Sequence, residues 1–189
     1  MILRLTAAAG LLALSTSLAL AQTATSTPAE PASKADGNMK EWQVAKVAKV
    51  GLAQALTTAE SQGDEKGGRA IDADFEKADS KDPAHYAIKV VYPSGKLVEY
   101  GINADTGALY KTENQPIERY FTRLKASDFQ NAKTSLKDAL AIAEQKAGGG
   151  KAYEAEVEKD GSTVQYEIKV AGADKDQKIK VGPDGKVLN

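Results

Sequence analysis

Two segments of the sequence carry acidic side chains at every second position. The segments are AIDADFEK, which begins at Ala70, and AYEAEVEK, which begins at Ala152. Strict alternation of apolar and acidic residues predicts strands that bury one face and expose the other. The acidic positions are Asp72, Asp74, Glu76, Glu154, Glu156, Glu158 and Asp160.

Carboxylates spaced in this way could bind a metal ion. Alternate residues on one strand face lie about 6.6–6.8 Å apart, so the like charges repel one another along the strand. A cation would relieve this repulsion, and oxygen-only ligands favour hard ions such as Ca²⁺ or a trivalent lanthanide over copper and zinc. The simpler interpretation is a solvated strand face whose acids pair with Lys89 and Lys169 on the neighbouring strands.

The other residue types offer little for catalysis. The chain has no cysteine and one histidine, His85, and it contains no nucleophile elbow, zinc-type His-Glu motif or phosphate-binding loop. His85 begins the stretch HYAIKV, and Gln165 takes its place in the similar stretch QYEIKV, which predicts a solvent-facing position for His85. We therefore expect a protein that is not an enzyme and has no organic cofactor.

These two hexapeptides belong to a repeat that covers most of the chain. GLAQALTTAE, from Gly51, aligns with SLKDALAIAE, from Ser135, and both place apolar residues at helical spacing. Each helix is followed by an alternating acidic strand, by a second strand with HYAIKV or QYEIKV, and by a third strand before an Asp/Gly turn. The pattern predicts an α+β fold of two units, each with one helix packed on a three-stranded antiparallel sheet.

The same periodicity predicts the core. The side chains expected to be buried are Leu56, Phe75, Tyr86, Ile88, Leu140, Val157, Tyr166 and Ile168. On the first acidic strand, Ile71, Ala73 and Phe75 are expected to share the core-facing side. Because so small a unit buries little surface alone, the two units are expected to pack together.

The unit boundaries are predicted at residues 39–112 and 134–189, with a linker helix in residues 113–133. Pro116 suits the first turn of this helix. Its apolar positions at helical spacing are Ile117, Tyr120, Phe121 and Leu124.

Residues 1–21 have the layout of a secretory signal peptide. Arg4 precedes an apolar stretch that ends in an A-x-A cleavage site at residues 19–21, and residues 22–38 predict a flexible tether. Cleavage removes one of 25 basic residues and none of 26 acidic ones, which leaves a net charge of −2 and argues against a nucleic-acid partner. We expect a periplasmic or secreted protein with no stable membrane insertion after cleavage.

The repeat resembles the PepSY domain. The similar stretches are SLKDALAIAEQKAGG, AYEAEVEKDG, VQYEIKV and PDGKVL in the second copy, and GLAQALTTAE and YGINADTGALY in the first. PepSY domains occur in the propeptides of secreted metallopeptidases and in small exported proteins, so the resemblance implies an inhibitor of peptidases. The plan of a signal peptide and two such units without cysteine is also similar to that of a lanthanide-binding member of the family.

Three functions remain open on the sequence. The leading hypothesis is non-enzymatic binding of hard metal ions, a lanthanide or Ca²⁺, through the seven acidic residues named above. The alternative is inhibition or modulation of a secreted peptidase, and the third is a scaffold whose exposed strand edges recruit a partner. Acid-only clusters that recur in both copies favour metal binding.

Overall fold

The computed structural model describes residues 38–188, so the predicted signal peptide and all but the last residue of the tether lie outside it. The helices are α1 (Glu41–Val47), α2 (Leu52–Glu60), α3 (Pro116–Phe121) and α4 (Leu136–Lys146), with a 3₁₀ helix at Ala126–Asn131. The strands are β1 (Arg69–Glu76), β2 (His85–Val91), β3 (Leu97–Asn103), β4 (Leu109–Asn114), β5 (Lys151–Asp160), β6 (Thr163–Ala171), β7 (Asp176–Val181) and β8 (Val187–Leu188). No helix in this part of the chain is long and apolar enough to span a bilayer.

All eight strands form one antiparallel sheet in the order β4-β3-β2-β1-β5-β6-β7-β8. Each unit supplies one half of this sheet, and the first strands of the two units, β1 and β5, pair at its centre. The expected association of the units therefore takes the form of backbone pairing within a continuous sheet.

Each unit contributes four strands, and the predicted three-stranded sheet was wrong. The fourth strands, β4 and β8, follow the Asp/Gly turns that were predicted to close the units. β4 is an exposed edge strand, on which Leu109 and Tyr110 are 38% and 36% exposed, so it shows no alternation of buried and polar residues. β8 is only two residues long, which is too short to produce a periodic signal.

The two long helices begin where the sequence predicts. Ser135 caps α4, because its Oγ accepts a hydrogen bond from the backbone N–H of Asp138 at 3.1 Å, and Gly51 occupies the corresponding position before α2. Both helices turn their periodic apolar side chains to the sheet. These buried residues are Leu52, Ala55, Leu56, Ala59, Leu136, Ala139, Leu140 and Ala143.

The predicted core is confirmed, since all eight side chains named for it are at most 3% exposed. The tyrosines of the two similar hexapeptides have the same structural role. The Tyr86 hydroxyl donates to the Val50 carbonyl at 2.8 Å, and the Tyr166 hydroxyl donates to the Thr134 carbonyl at 2.5 Å. Each tyrosine thus ties the segment before its unit's helix to the sheet, which explains why both copies keep a tyrosine at this position.

One register prediction was wrong. A β-bulge lies between Ala70 and Asp72, and the matching bulge in the second unit lies between Ala152 and Glu154. Because the bulge adds one residue, Ala70 takes the place expected for Ile71 in the register with β2, although Ile71 is buried as predicted, at 5% exposure.

The predicted linker helix is two short helices. α3 ends at Phe121, the 3₁₀ helix begins at Ala126, and buried Leu124 lies between them. Ile117 is 79% exposed, so the apolar spacing that predicted one packed helix does not produce one. The side chains of Tyr120 and Phe121 lie outside the described part of the structure.

The short helices α1 and α3, which precede α2 and α4 in the chain, pack mainly on the other half of the sheet from the helix that each precedes. α1 contacts β5 and β6 of the second unit and, less extensively, β1 of the first, whereas α3 contacts β3 of the first unit. The Lys46 ammonium of α1 donates to the Ala173 carbonyl at 2.9 Å, and the Arg119 Nε of α3 donates to the Gly95 carbonyl. These two carbonyls belong to corresponding hairpins, β6–β7 and β2–β3, so each helix braces the opposite unit.

The continuous sheet predicts that the two units unfold together. Ile88 and Ile168 occupy matching, fully buried positions, and each should lower the free energy of unfolding by about 2–5 kcal/mol when changed to Ala. Urea denaturation followed by circular dichroism should show one shared transition that both substitutions move to lower urea. Two separate transitions, each sensitive to only one substitution, would contradict a single cooperative sheet.

Candidate functional site

Pairing of β1 with β5 brings the two predicted acidic faces together. Asp72 lies directly opposite Glu156, and Asp74 lies directly opposite Glu154. Side chains that face each other in this way have Cβ atoms about 4.5–5.5 Å apart. The sequence predicts two separate acidic strands, but four of the seven acids form one patch, which we call the acidic seam (Asp72, Asp74, Glu154 and Glu156).

Two lysines neutralise half of the acidic seam. The Lys89 ammonium lies 2.8 Å from Asp72 Oδ2 and 2.9 Å from Glu118 Oε1 of α3. In the second unit, the Lys169 ammonium lies 2.6 Å from Glu154 Oε2. The simpler interpretation of the sequence, pairing with lysines on neighbouring strands, is therefore correct for Asp72 and Glu154.

Asp74 and Glu156 are the two seam acids that have no ion-pair partner within residues 38–188. Partial burial, together with the negative charges of Asp72 and Glu154, raises the pKa of Asp74 to about 7. Burial is also the main cause that raises the pKa of Glu156, and Asp72 is the next. The seam thus contains more carboxylates than cations, and Asp74 keeps its proton up to about pH 7.

The other three predicted ligands lie outside the four-carboxylate seam, although Glu158 lines a cavity with Asp72 and Glu156, and Glu76 lines another with Asp74 and Glu154. Glu158 Oε2 accepts hydrogen bonds from Gln165 at 2.7 Å and from Lys180 at 3.1 Å. Asp160 is exposed at the end of β5. The Glu76 carboxylate lies 3.3 Å from His85 Nε2.

His85 is buried, and the prediction that it faces solvent was wrong. It is 4% exposed because the ring of Tyr110, from edge strand β4, packs against it edge to face with 5.0 Å between the ring centroids. Its Nδ1 lies 2.8 Å from the Pro83 carbonyl, opposite the contact of Nε2 with Glu76. This imidazole therefore holds β2 to its surroundings.

The described residues contain no ready-made metal cage. No group of three or more His, Asp or Glu side chains between residues 38 and 188 is placed to hold a metal ion. In the acidic seam the reason is visible, since Asp72 and Glu154 are drawn toward lysines. A cation could use these carboxylates only if the two ammonium groups moved aside.

Two acids on the short helices also border the acidic seam, without a signal in the sequence. Glu41 of α1 lines a cavity of about 490 Å³ together with Asp74 and Glu154. Glu118 of α3 lines a second cavity, of about 500 Å³, together with Asp72 and Glu156. Glu41 and Glu118 lie here because α1 packs on the second unit and α3 packs on the first. No local sequence pattern reveals this packing.

Comparison with known proteins identifies the repeated unit. The sequence model of the PepSY family, described as "Peptidase propeptide and YPEB domain", matches residues 49–113 and 133–187. The chain belongs to the PepSY family. Its two PepSY domains correspond to the two halves of the sheet, and domains of this family are generally non-catalytic and typically extracellular.

A solved structure also resembles the chain. It is the crystal structure of a candidate lipoprotein from Clostridium difficile 630, with 22% sequence identity and a TM-score of 0.39. The match covers 65% of this PepSY protein and 81% of the other chain. No curated protein matches the sequence significantly.

The raised pKa of Asp74 predicts that its charge destabilises the fold. The unfolded chain loses this proton near the ordinary value of 3.8, whereas the folded protein keeps it up to about pH 7, so the contribution of Asp74 to stability falls as pH rises through this interval. Asp74→Asn should therefore stabilise the protein by about 1–2 kcal/mol at about pH 8, after allowance for solvent screening, and by much less at about pH 5.

Thermal denaturation at the two pH values measures this effect. Asp160→Asn, which removes an exposed carboxylate from the end of the same acidic face, is the matched control and should change the melting temperature little. If Asp74→Asn stabilises the protein by the same amount at both pH values, or destabilises it at both, then the acidic seam does not destabilise the ionised Asp74 carboxylate.

Proposed function

We propose that this PepSY protein is an exported, non-catalytic binding protein that takes up hard metal ions, a trivalent lanthanide or Ca²⁺, at the acidic seam. The observation that supports the proposal is the excess of carboxylates over cations at the seam. Four carboxylates face one another across β1 and β5, and two of them, Asp74 and Glu156, have no cationic partner within residues 38–188. A bound cation would supply the missing positive charge.

The surrounding lysines can release their carboxylates at modest cost. Lys89 contacts both Asp72 and Glu118, so it keeps one ion pair if Asp72 turns toward a metal ion. The Lys169 side chain is 34% exposed and would be hydrated after it leaves Glu154. An ion pair exposed to solvent contributes only about 0–1 kcal/mol, and the more exposed Lys169–Glu154 pair is the nearer of the two to this limit.

The chemistry of the seam favours a trivalent ion. Every candidate ligand is a carboxylate oxygen, which hard cations prefer, and the electrostatic attraction to the same carboxylates increases with the charge of the ion. Soft ions gain nothing here, because the chain has no cysteine and its one histidine, His85, is buried beside Tyr110.

Calorimetric titration of the full chain with La³⁺, Ca²⁺ and Zn²⁺ tests the proposal. We expect La³⁺ to bind most tightly, and the double variant Asp74→Asn/Glu156→Gln should weaken La³⁺ binding by about tenfold or more, because it removes both unpaired carboxylates. Affinity should rise with pH through about 7, since protons compete with the metal at Asp74.

A matched double variant controls for net charge. Glu113→Gln/Asp160→Asn also removes two carboxylates, but both are exposed and lie outside the acidic seam. It should leave La³⁺ affinity within about twofold of the parent. Equal weakening by both double variants would reject the seam as a site and leave only general attraction of cations to an acidic protein.

The second candidate function is inhibition of a secreted peptidase. The matched family takes its description from peptidase propeptides, and its domains are generally propeptide-like or inhibitor-like. Such binding would depend on surface complementarity and would not require an added cation.

This alternative predicts that the full chain slows a secreted metallopeptidase at near-stoichiometric amounts in the absence of Ca²⁺ and La³⁺. Hydrolysis of a chromogenic peptide measures the effect, with Asp74→Asn/Glu156→Gln as a variant that should inhibit as well as the parent. Full peptidase activity across a panel of secreted enzymes would rule out the inhibitor function for that panel.

A further inference from the structure

A basic cavity lies at the end of the sheet, away from the acidic seam. It has a volume of about 550 Å³ and is bounded by the start of β1, the β2–β3 hairpin, α3 and the 3₁₀ helix. Three of its lining residues are cationic, namely Arg69, Arg119 and Lys125, and no lining residue is acidic. We call this cavity the basic pocket.

The cations of the basic pocket are not neutralised. No carboxylate in residues 38–188 forms an ion pair with Arg69, Arg119 or Lys125. Two acids border the pocket without forming an ion pair with its cations. Glu65 accepts from the backbone N–H and hydroxyl of Ser94 at 2.7 and 2.5 Å, and Asp128 accepts from the backbone N–H of Lys125 at 2.9 Å and pairs with Lys159 at 2.9 Å.

Backbone contacts fix the guanidinium of Arg119 in the wall of the pocket. Its Nε donates to the Gly95 carbonyl, and its Nη1 donates to the carbonyls of Thr122 at 2.9 Å and Leu124 at 3.4 Å. Its third nitrogen, Nη2, has no hydrogen-bond partner among the described residues. An arginine held in this way has a donor that is already oriented when a ligand arrives.

The corresponding place in the second unit is built differently. There a smaller cavity, of about 380 Å³, is lined by Lys46, Lys151 and a run of glycines at residues 148–150. Both ammonium groups are used internally, since Lys46 donates to the Ala173 carbonyl at 2.9 Å and Lys151 donates to the Ala48 carbonyl. Unpaired basic groups around a larger cavity are thus a feature of the first unit.

We propose that the basic pocket binds a small molecule with two or more anionic oxygen groups, either phosphoryl or carboxylate. The three cations supply the charge, and the Arg119 guanidinium supplies a directed donor to an anionic oxygen. Ser127 and Gln130 line the same wall, and their side chains form no hydrogen bond within residues 38–188, so both can bind further ligand oxygens. Tyr92 and Pro93 form an apolar side against which the ligand's carbon or phosphorus framework can pack.

The size and exposure of the pocket limit the ligand. Its volume falls within the range of about 300–1,000 Å³ that small-molecule sites occupy. Arg69 and Lys125 are exposed and keep part of their hydration, so binding should weaken as ionic strength rises. The ligand carries the opposite charge to the metal ion proposed for the acidic seam.

Calorimetric titration of the full chain with sodium diphosphate and, separately, with sodium citrate at low ionic strength tests the proposal. At least one of the two should bind saturably with a stoichiometry of one. The variant Arg69→Ala/Lys125→Ala should weaken that binding by about tenfold or more, because it removes two charged hydrogen-bond donors. Arg119 is left intact because it also braces the β2–β3 hairpin.

The matched control is Lys49→Ala/Lys175→Ala, which removes the same charge from exposed positions outside the basic pocket. It should leave binding within about twofold of the parent. Binding of diphosphate alone assigns the pocket to phosphoryl compounds, binding of citrate alone assigns it to polycarboxylates, and binding of both assigns it to anionic oxygens in general. Failure of both probes to bind saturably, or equal weakening by the control, would overturn the proposal.

Discussion

The antiparallel pairing of β1 with β5 is the interaction on which the rest of the structure depends. It joins two small half-sheets into one, with Ala73 opposite Ala155 on the face covered by α2 and α4. On the other face the same pairing sets carboxylate against carboxylate, an arrangement that normally disfavours a strand pair. Backbone hydrogen bonds and burial of the shared core stabilise the pairing, while the acidic seam opposes it.

The core could be predicted from the sequence because its signal is local. Tyr86, Ile88, Tyr166 and Ile168 face the helices, and their period of two follows from strand geometry alone. The fourth strands could not be predicted in the same way. β4 is held by backbone pairing with β3 and exposes most of its side chains, so its sequence has no reason to alternate.

The sequence predicts the acidic seam only in part, because the seam also depends on pairing between strands that are far apart in the chain. The sequence identifies the acids and their strand faces, but no local pattern specifies which strands of the two units pair. His85 shows the same limit, because comparison with Gln165 treats the two copies as equivalent. Tyr110 of β4 covers His85, whereas Gln165 is partly exposed and donates to Glu158. A duplicated sequence therefore does not guarantee a duplicated environment.

The packing of α1 on the second unit and of α3 on the first bears on how such a two-unit chain could have evolved. Two identical single units, related by a two-fold axis between β1 and β5, would reproduce this architecture as a symmetric dimer with exchanged N-terminal arms. The four carboxylates of the seam would then lie around the axis as two identical pairs. After gene fusion the two halves would no longer need to share one sequence, so each half could accumulate its own substitutions. Such divergence would account for one difference between the halves. An arginine of α3 and a lysine of α1 brace equivalent hairpins with different side chains.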